Sequence, residues 1–219
     1  MHIKICGLTN RPDVLAAVDA GADYLGFNFY PRSPRYVTPE ACAQLVDELA
    51  RRDAAVTTVG IFVNEPAAEV ALKLDYCGLD LAQLHGDETL EQLTRLRGRA
   101  FKALRGANTA AETLDALAAG GPGRPAFLLD AAAPLAYGAA PEAYGGTGQV
   151  GDWPAAAQLA RRYPLFLAGG LNPGNVAAAI EAVRPWGVDV ASGVESAPGR
   201  KDHAKITAFV QAARAAAPE

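Results

Sequence analysis

Three cysteines in 219 residues, Cys6, Cys42 and Cys77, show no CxxC spacing and cannot all be paired. Neither a disulfide framework nor a zinc site is indicated. The chain also lacks any Lys/Arg block and carries a formal net charge of −4. Nucleic acid and anionic membrane are thereby excluded as main partners, because both call for clustered cations, whereas a small anionic ligand stays open. No apolar run is long enough to span a bilayer, and strand character by Ile3 leaves no room for a secretion signal. A cytoplasmic protein is expected. No Gly-x-Gly-x-x-Gly follows the first apolar run, which weighs against a dinucleotide-binding sheet.

What is present is hydrophobic residue, 50% of the chain, enough for a substantial core and most simply one domain over 1–219. Short runs of Val, Ile, Leu and Phe alternate with longer stretches of helical period. Strands are expected over 3–6, 24–29, 58–63, 81–84, 100–104, 126–130, 165–167 and 188–190. Helices are expected over 39–51, 66–76, 88–97, 109–119, 152–162 and 173–183, with 204–217 as a closing helix. Thr38-Pro39 and Asn172-Pro173 supply start signals, since a capping side chain followed by proline favours a helix N-terminus. Eight alternations predict a (β/α)₈ TIM barrel rather than an open doubly wound sheet. Cys42 and Cys77 fall in helical stretches and read as buried fillers.

Barrel chemistry sits at the C-terminal strand ends. There Cys6 ends the first run and Asp130 ends the sixth, Ala126-Phe127-Leu128-Leu129-Asp130, so a thiol and a carboxyl are expected at one mouth. Gly169-Gly170-Leu171-Asn172-Pro173 places two glycines before an expected helix, and Ser192-Gly193-Val194 follows the eighth strand. Backbone N–H groups freed by glycine bind phosphate without lysine, and loops seven and eight are where barrels most often hold it. The stretch 131–151, containing Gly145-Gly146-Thr147-Gly148, is long enough to be read as a mobile flap.

These segments resemble the phosphoribosylanthranilate isomerase family. The resemblance is carried by Lys4-Ile5-Cys6-Gly7-Leu8-Thr9, Ser33-Pro34-Arg35-Tyr36-Val37, Gln83-Leu84-His85-Gly86-Asp87-Glu88, Leu128-Leu129-Asp130, Gly145-Gly146-Thr147-Gly148, Ala168-Gly169-Gly170-Leu171-Asn172-Pro173, Gly187-Val188-Asp189-Val190 and Ser192-Gly193-Val194-Glu195, one after another in family order. It implies an Amadori rearrangement of N-(5-phospho-β-D-ribosyl)anthranilate in tryptophan biosynthesis, with Asp130 as acid and Cys6 as base. Arg35 is then the natural anchor for the anthranilate carboxylate, because guanidinium binds carboxylate through two parallel hydrogen bonds. His85 and Asp189 are candidates for orienting substrate, with Gly146, Gly169, Gly170, Ser192 and Gly193 completing the binding set. A Schiff base through Lys4 or Lys102 is conceivable, yet a substrate that opens to its own iminium does not need one. No metal or organic cofactor is implied, the partner is a small phosphorylated substrate, and the state is monomer or homodimer. The alternative is a catalytically silent phosphate-binding barrel.

Overall fold

The computed structural model describes residues 1–96, 98–107, 109–118, 124–130 and 152–217. Among these, eight parallel strands close into a barrel: β1 (His2–Cys6), β2 (Tyr24–Asn28), β3 (Thr57–Phe62), β4 (Leu81–Leu84), β5 (Ala100–Arg105), β6 (Phe127–Asp130), β7 (Leu165–Ala168) and β8 (Gly187–Val190). Closure is made by β1 against β8, with Lys4 in register with Asp189. The helices α1 (Arg11–Asp19), α2 (Pro39–Arg51), α3 (Ala67–Cys77), α4 (Leu90–Arg95), α5 (Ala111–Ala118), α6 (Trp153–Ala160), α7 (Val176–Val183) and α8 (His203–Ala215) follow the strands in order. Between β8 and α8 lie a 3₁₀ turn, Ser192–Val194, and a hairpin of β9 (Glu195–Ala197) with β10 (Arg200–Lys201).

Two-residue periodicity divides each strand between two cores. Ile3, Ile5, Leu25, Phe27, Phe127 and Leu129 pack outward against the helices. The alternate register, including Val59, Leu81, Phe101, Leu128 and Phe166, fills the barrel interior. Each such side chain contributes about 1.5–3 kcal/mol on full burial. His2, Tyr24, Phe166 and Trp186 stack across the N-terminal end, with Tyr24 and Phe166 centroids 5.1 Å apart and nearly perpendicular. That aromatic floor leaves the opposite rim as the place for a polar opening.

Local signals explain most helix starts. Thr38, Asp152 and Asp202 accept from the backbone N–H three residues on, and Thr89 with Gln92 forms a capping box for α4. Two expectations are corrected. Asn172-Pro173 does not open α7: the Asn172 side chain accepts from Gly174 N at 2.8 Å in a tight turn, and the helix begins at Val176. The fourth helix begins two residues later than expected because the Glu88 carboxylate is occupied, accepting from the backbone N–H of Asn64 and Gly86. The β9–β10 hairpin was not foreseen, since its two- and three-residue strands are too short for any periodicity to register. Helix α1 was likewise not singled out, although Asn10 caps it and Pro12 stands in its first turn. The stretch 131–151, read as a flap, lies outside the described residues.

Candidate active site

The inward register that fills the barrel below becomes polar above. Lys4 and Cys6 alternate on β1, and Leu128 and Asp130 alternate on β6, so each strand ends with its reactive side chain facing inward. Both line one cavity at the C-terminal mouth, with Arg35, His85, Gly169, Gly170, Asp189 and Ser192 in the same wall. The structure thus brings together nearly every candidate from the sequence. Gly193 sits behind that wall, where a Cβ would overlap the Leu171 carbonyl oxygen, and it lets the loops after β7 and β8 touch. Gly146 lies outside the described residues.

Cys6 is buried, and burial pushes its thiol pKa up. The positive charge of Lys4 works against that rise, the carboxylate of Asp189 adds to it, and Lys201 again opposes it. The cations that favour thiolate include a lysine two residues back on the same strand and one on β10, with Arg35 also interacting with the thiolate charge. Lys201 donates to Glu195 at 3.0 Å and to the Ala191 carbonyl at 3.0 Å. Sequence reading gave Lys201 no role, because its short strand carries no pattern of its own.

Lys4 is fully buried, and its ammonium donates to Gln83 Oε1 at 2.9 Å and Asp189 Oδ1 at 2.8 Å. Burial acts to lower its pKa, but the Asp189 charge and the proximity of Cys6 prevail and raise it. It stays an ammonium and is no nucleophile. The Lys102 ammonium is tied to Glu88 at 2.7 Å and to the carbonyls of Gly86 and Leu84. It braces the loop after β4.

Arg35 is held by a two-pronged contact, Nε and Nη2 each donating to a Glu195 carboxylate oxygen at 2.7 Å. The hydrogen bonds to Glu195 raise its pKa. Its stem lies over Gly7, where a Cβ would come within 2.5 Å of Arg35 Cδ and where φ is +76°. Glycine at position 7 is required both by conformation and by space. The Glu195 contact uses one edge of the guanidinium, and its Nη1 amino group remains for the cavity. Glu195 was within the matching motif but carried no assigned role.

The two loops expected to bind phosphate differ in detail from expectation. Gly169 and Gly170 both have positive φ, +95° and +67°, turning the chain at the end of β7, but five residues separate Gly170 from α7. Ser192 and Gly193 lie in the 3₁₀ turn. What these loops present is two facing backbone turns rather than the first turn of a long helix.

A closed barrel with a thiol, a carboxyl and an anchored arginine around one mouth, flanked by two glycine turns, defines an acid–base enzyme acting on a small phosphorylated molecule. The profile of the N-(5'phosphoribosyl)anthranilate (PRA) isomerase family matches residues 3–212, and the chain belongs to that family. It is 45% identical over 215 residues to N-(5'-phosphoribosyl)anthranilate isomerase of Pelobacter propionicus, covering 98% of this chain and 96% of that one. The crystal structure of phosphoribosyl anthranilate isomerase from Thermotoga maritima superposes with a TM-score of 0.83 at 39% identity, covering 98% of this chain and 99% of that one. A further structure of phosphoribosyl anthranilate isomerase, in complex with reduced 1-(o-carboxyphenylamino)-1-deoxyribulose 5-phosphate, gives a TM-score of 0.78 at 36% identity, covering 98% and 99%.

Proposed function

We propose that Cys6 and Asp130 are the base and the acid of the Amadori rearrangement catalysed by this member of the family. The substrate is N-(5-phospho-β-D-ribosyl)anthranilate and the product 1-(2-carboxyphenylamino)-1-deoxy-D-ribulose 5-phosphate. Asp130 gives a proton to the furanose ring oxygen as the C1–O bond breaks, with the anthranilate nitrogen lone pair forming the iminium. Cys6 thiolate removes the C2 proton, and those electrons neutralise the iminium to an enolamine. Protonation at C1 and loss of the C2 hydroxyl proton then give the ketone. No oxidant, metal or organic cofactor enters this balance.

The observation that carries the reading is the shared cavity: a thiol on β1 and a carboxyl on β6 flank the space that also meets Arg35 and the two glycine turns. Arg35 receives the anthranilate carboxylate through its remaining guanidinium N–H groups. Gly169, Gly170 and Ser192 take the phosphate, and Asp189 stays the counter-ion of Lys4. A positioned proton transfer is typically worth ~10²–10⁴ in rate. Loss of anthranilate-ribosyl fluorescence in freshly made substrate tests this directly. Cys6→Ser and Asp130→Asn should each fall by that order in kcat, and near wild-type turnover by either variant rules out its assigned role.

The rest of the chain is consistent with one domain over 1–219. Helix α8 returns to the start, where Arg214 donates to the Met1 carbonyl at 2.6 Å and pairs with Asp23 at 2.8 Å. No helix among the described residues is long and apolar enough to cross a membrane. The working state is a monomer or homodimer in the cytoplasm.

A further inference from the structure

Below the reacting groups runs a polar chain of three residues, Lys4, Gln83 and His85, whose hydrogen positions are fixed by chemistry. An ammonium has only donors, so the Gln83 amide must turn its oxygen to Lys4, at 2.9 Å. The amide nitrogen therefore faces His85 Nδ1, at 3.0 Å. An NH₂ group can only donate, so Nδ1 must accept, and the single ring proton resides on Nε2. Gln83 and His85 are two apart on one strand line, both face inward, and both line the cavity. With Nδ1 engaged below, Nε2–H is the ring group left for the cavity.

The charges around the ring act the same way. Burial first, then Lys102 and Arg105 on β5 and Lys4 on β1, hold the imidazole down to about 3. The other ionisable residues of the cavity are Cys6, Asp130, Asp189 and Arg35. An imidazole of ordinary basicity among them would exchange protons with the acid and the base. A ring held neutral cannot.

We propose that Gln83, backed by the Lys4 ammonium, is a positioning residue that fixes His85 as a neutral hydrogen-bond donor, its Nε2–H binding an oxygen of the phosphorylated substrate. This rests on the acid–base reading of the cavity for its use, but not for its geometry. Holding the ring in one tautomer gives substrate a fixed donor and confines proton transfer to Cys6 and Asp130. Only an amide at 83 can accept from Lys4 and donate to His85 at once, whereas glutamate there would accept from both and demand the opposite tautomer.

The test is long-range ¹H–¹⁵N imidazole spectra of the full chain, which has only three histidines. In the wild type, His85 should show the Nε2–H tautomer and no titration between pH 5 and 9. Gln83→Glu should place a proton on Nδ1 and bring a titration into that window, and Gln83→Met should release the ring to mixed tautomers. In both variants KM should rise about tenfold or more, beyond any change in kcat, with the His85 spectrum shifting in step. A wild-type His85 that titrates near neutrality or carries Nδ1–H overturns the proposal, and that measurement needs no variant to fold. Unchanged His85 signals and KM in Gln83→Glu overturn it as well. Failure of the acid–base reading looks different: turnover would survive Cys6→Ser or Asp130→Asn while the His85 spectrum stayed as described.

Discussion

Gly26 stands directly opposite Cys6 on the neighbouring strand, and a Cβ there would lie 2.9 Å from the Cys6 sulfur. The same Cβ would lie 3.1 Å from the Cys6 Cα and from Ile61 Cδ1, so no flexible neighbour can yield on every side. The missing side chain at 26 leaves the space that the thiol occupies. Gly26→Ala should therefore displace the sulfur, and misplacement by about 1 Å can cost ~10² in rate. Overpacking of this kind costs about 1–3 kcal/mol, which a barrel of this size tolerates. Steady-state kinetics beside circular dichroism decide it: a folded Gly26→Ala with full kcat would show that the thiol position does not matter.

The contact of Gly193 with the Leu171 carbonyl joins the two turns proposed to hold phosphate. The obstacle to a side chain is backbone, so Gly193→Ala must separate the loops rather than bend a side chain away. KM should rise about tenfold, equivalent to ~1.4 kcal/mol of lost binding, and kcat should change less. The inhibition constant of inorganic phosphate should rise in parallel with KM. A raised KM with unchanged phosphate inhibition would locate the phosphate elsewhere.

Stability should fall in alkaline solution through the buried pair Cys42 and Cys77. Burial, then the charge and hydrogen bonding of Cys77, raise the Cys42 thiol far above its ordinary value of 9.0. Burial raises Cys77 as well. Below that ordinary value both states hold the proton and the stabilisation is complete. As pH climbs past about 9 the unfolded chain loses protons that the folded chain keeps, so unfolding becomes easier by up to ~1.4 kcal/mol per pH unit for each thiol. Urea unfolding at pH 7 through 10 should show this slope, and Cys42→Ala should reduce it by about one proton. An identical slope in the variant would assign the alkaline loss to other groups.

How much of this was legible in the sequence depends on range. Strand runs such as Leu81–Leu84 and Phe127–Asp130 announce themselves in four residues, because burial on both faces selects mostly apolar side chains. Thr38-Pro39 is legible because a cap needs only its own first turn. Asn172-Pro173 has the same look and a different outcome, since the Asn172 side chain bonds Gly174 and leaves the helix to start later. That Cys6 and Asp130 line one cavity was legible because strand ends in a barrel point to one place. Gln83 and Glu195 were given no role because their partners are remote: Gln83 meets Lys4 across 79 residues, and Glu195 meets Arg35 across 160. Pairing at such separations is decided by strand order and register, which no local pattern records.

The division of labour between the two reacting groups is tested most directly with substrate deuterated at ribose C2. In the proposed scheme, ring opening by Asp130 does not break the C2–H bond, whereas proton removal by Cys6 does. Cys6→Ser should slow the second step until it limits turnover, giving a primary isotope effect on kcat larger than in the wild type. Asp130→Asn should slow the first step and bring the effect close to unity. An isotope effect that vanishes in Cys6→Ser, or grows in Asp130→Asn, would contradict the assignment of base and acid.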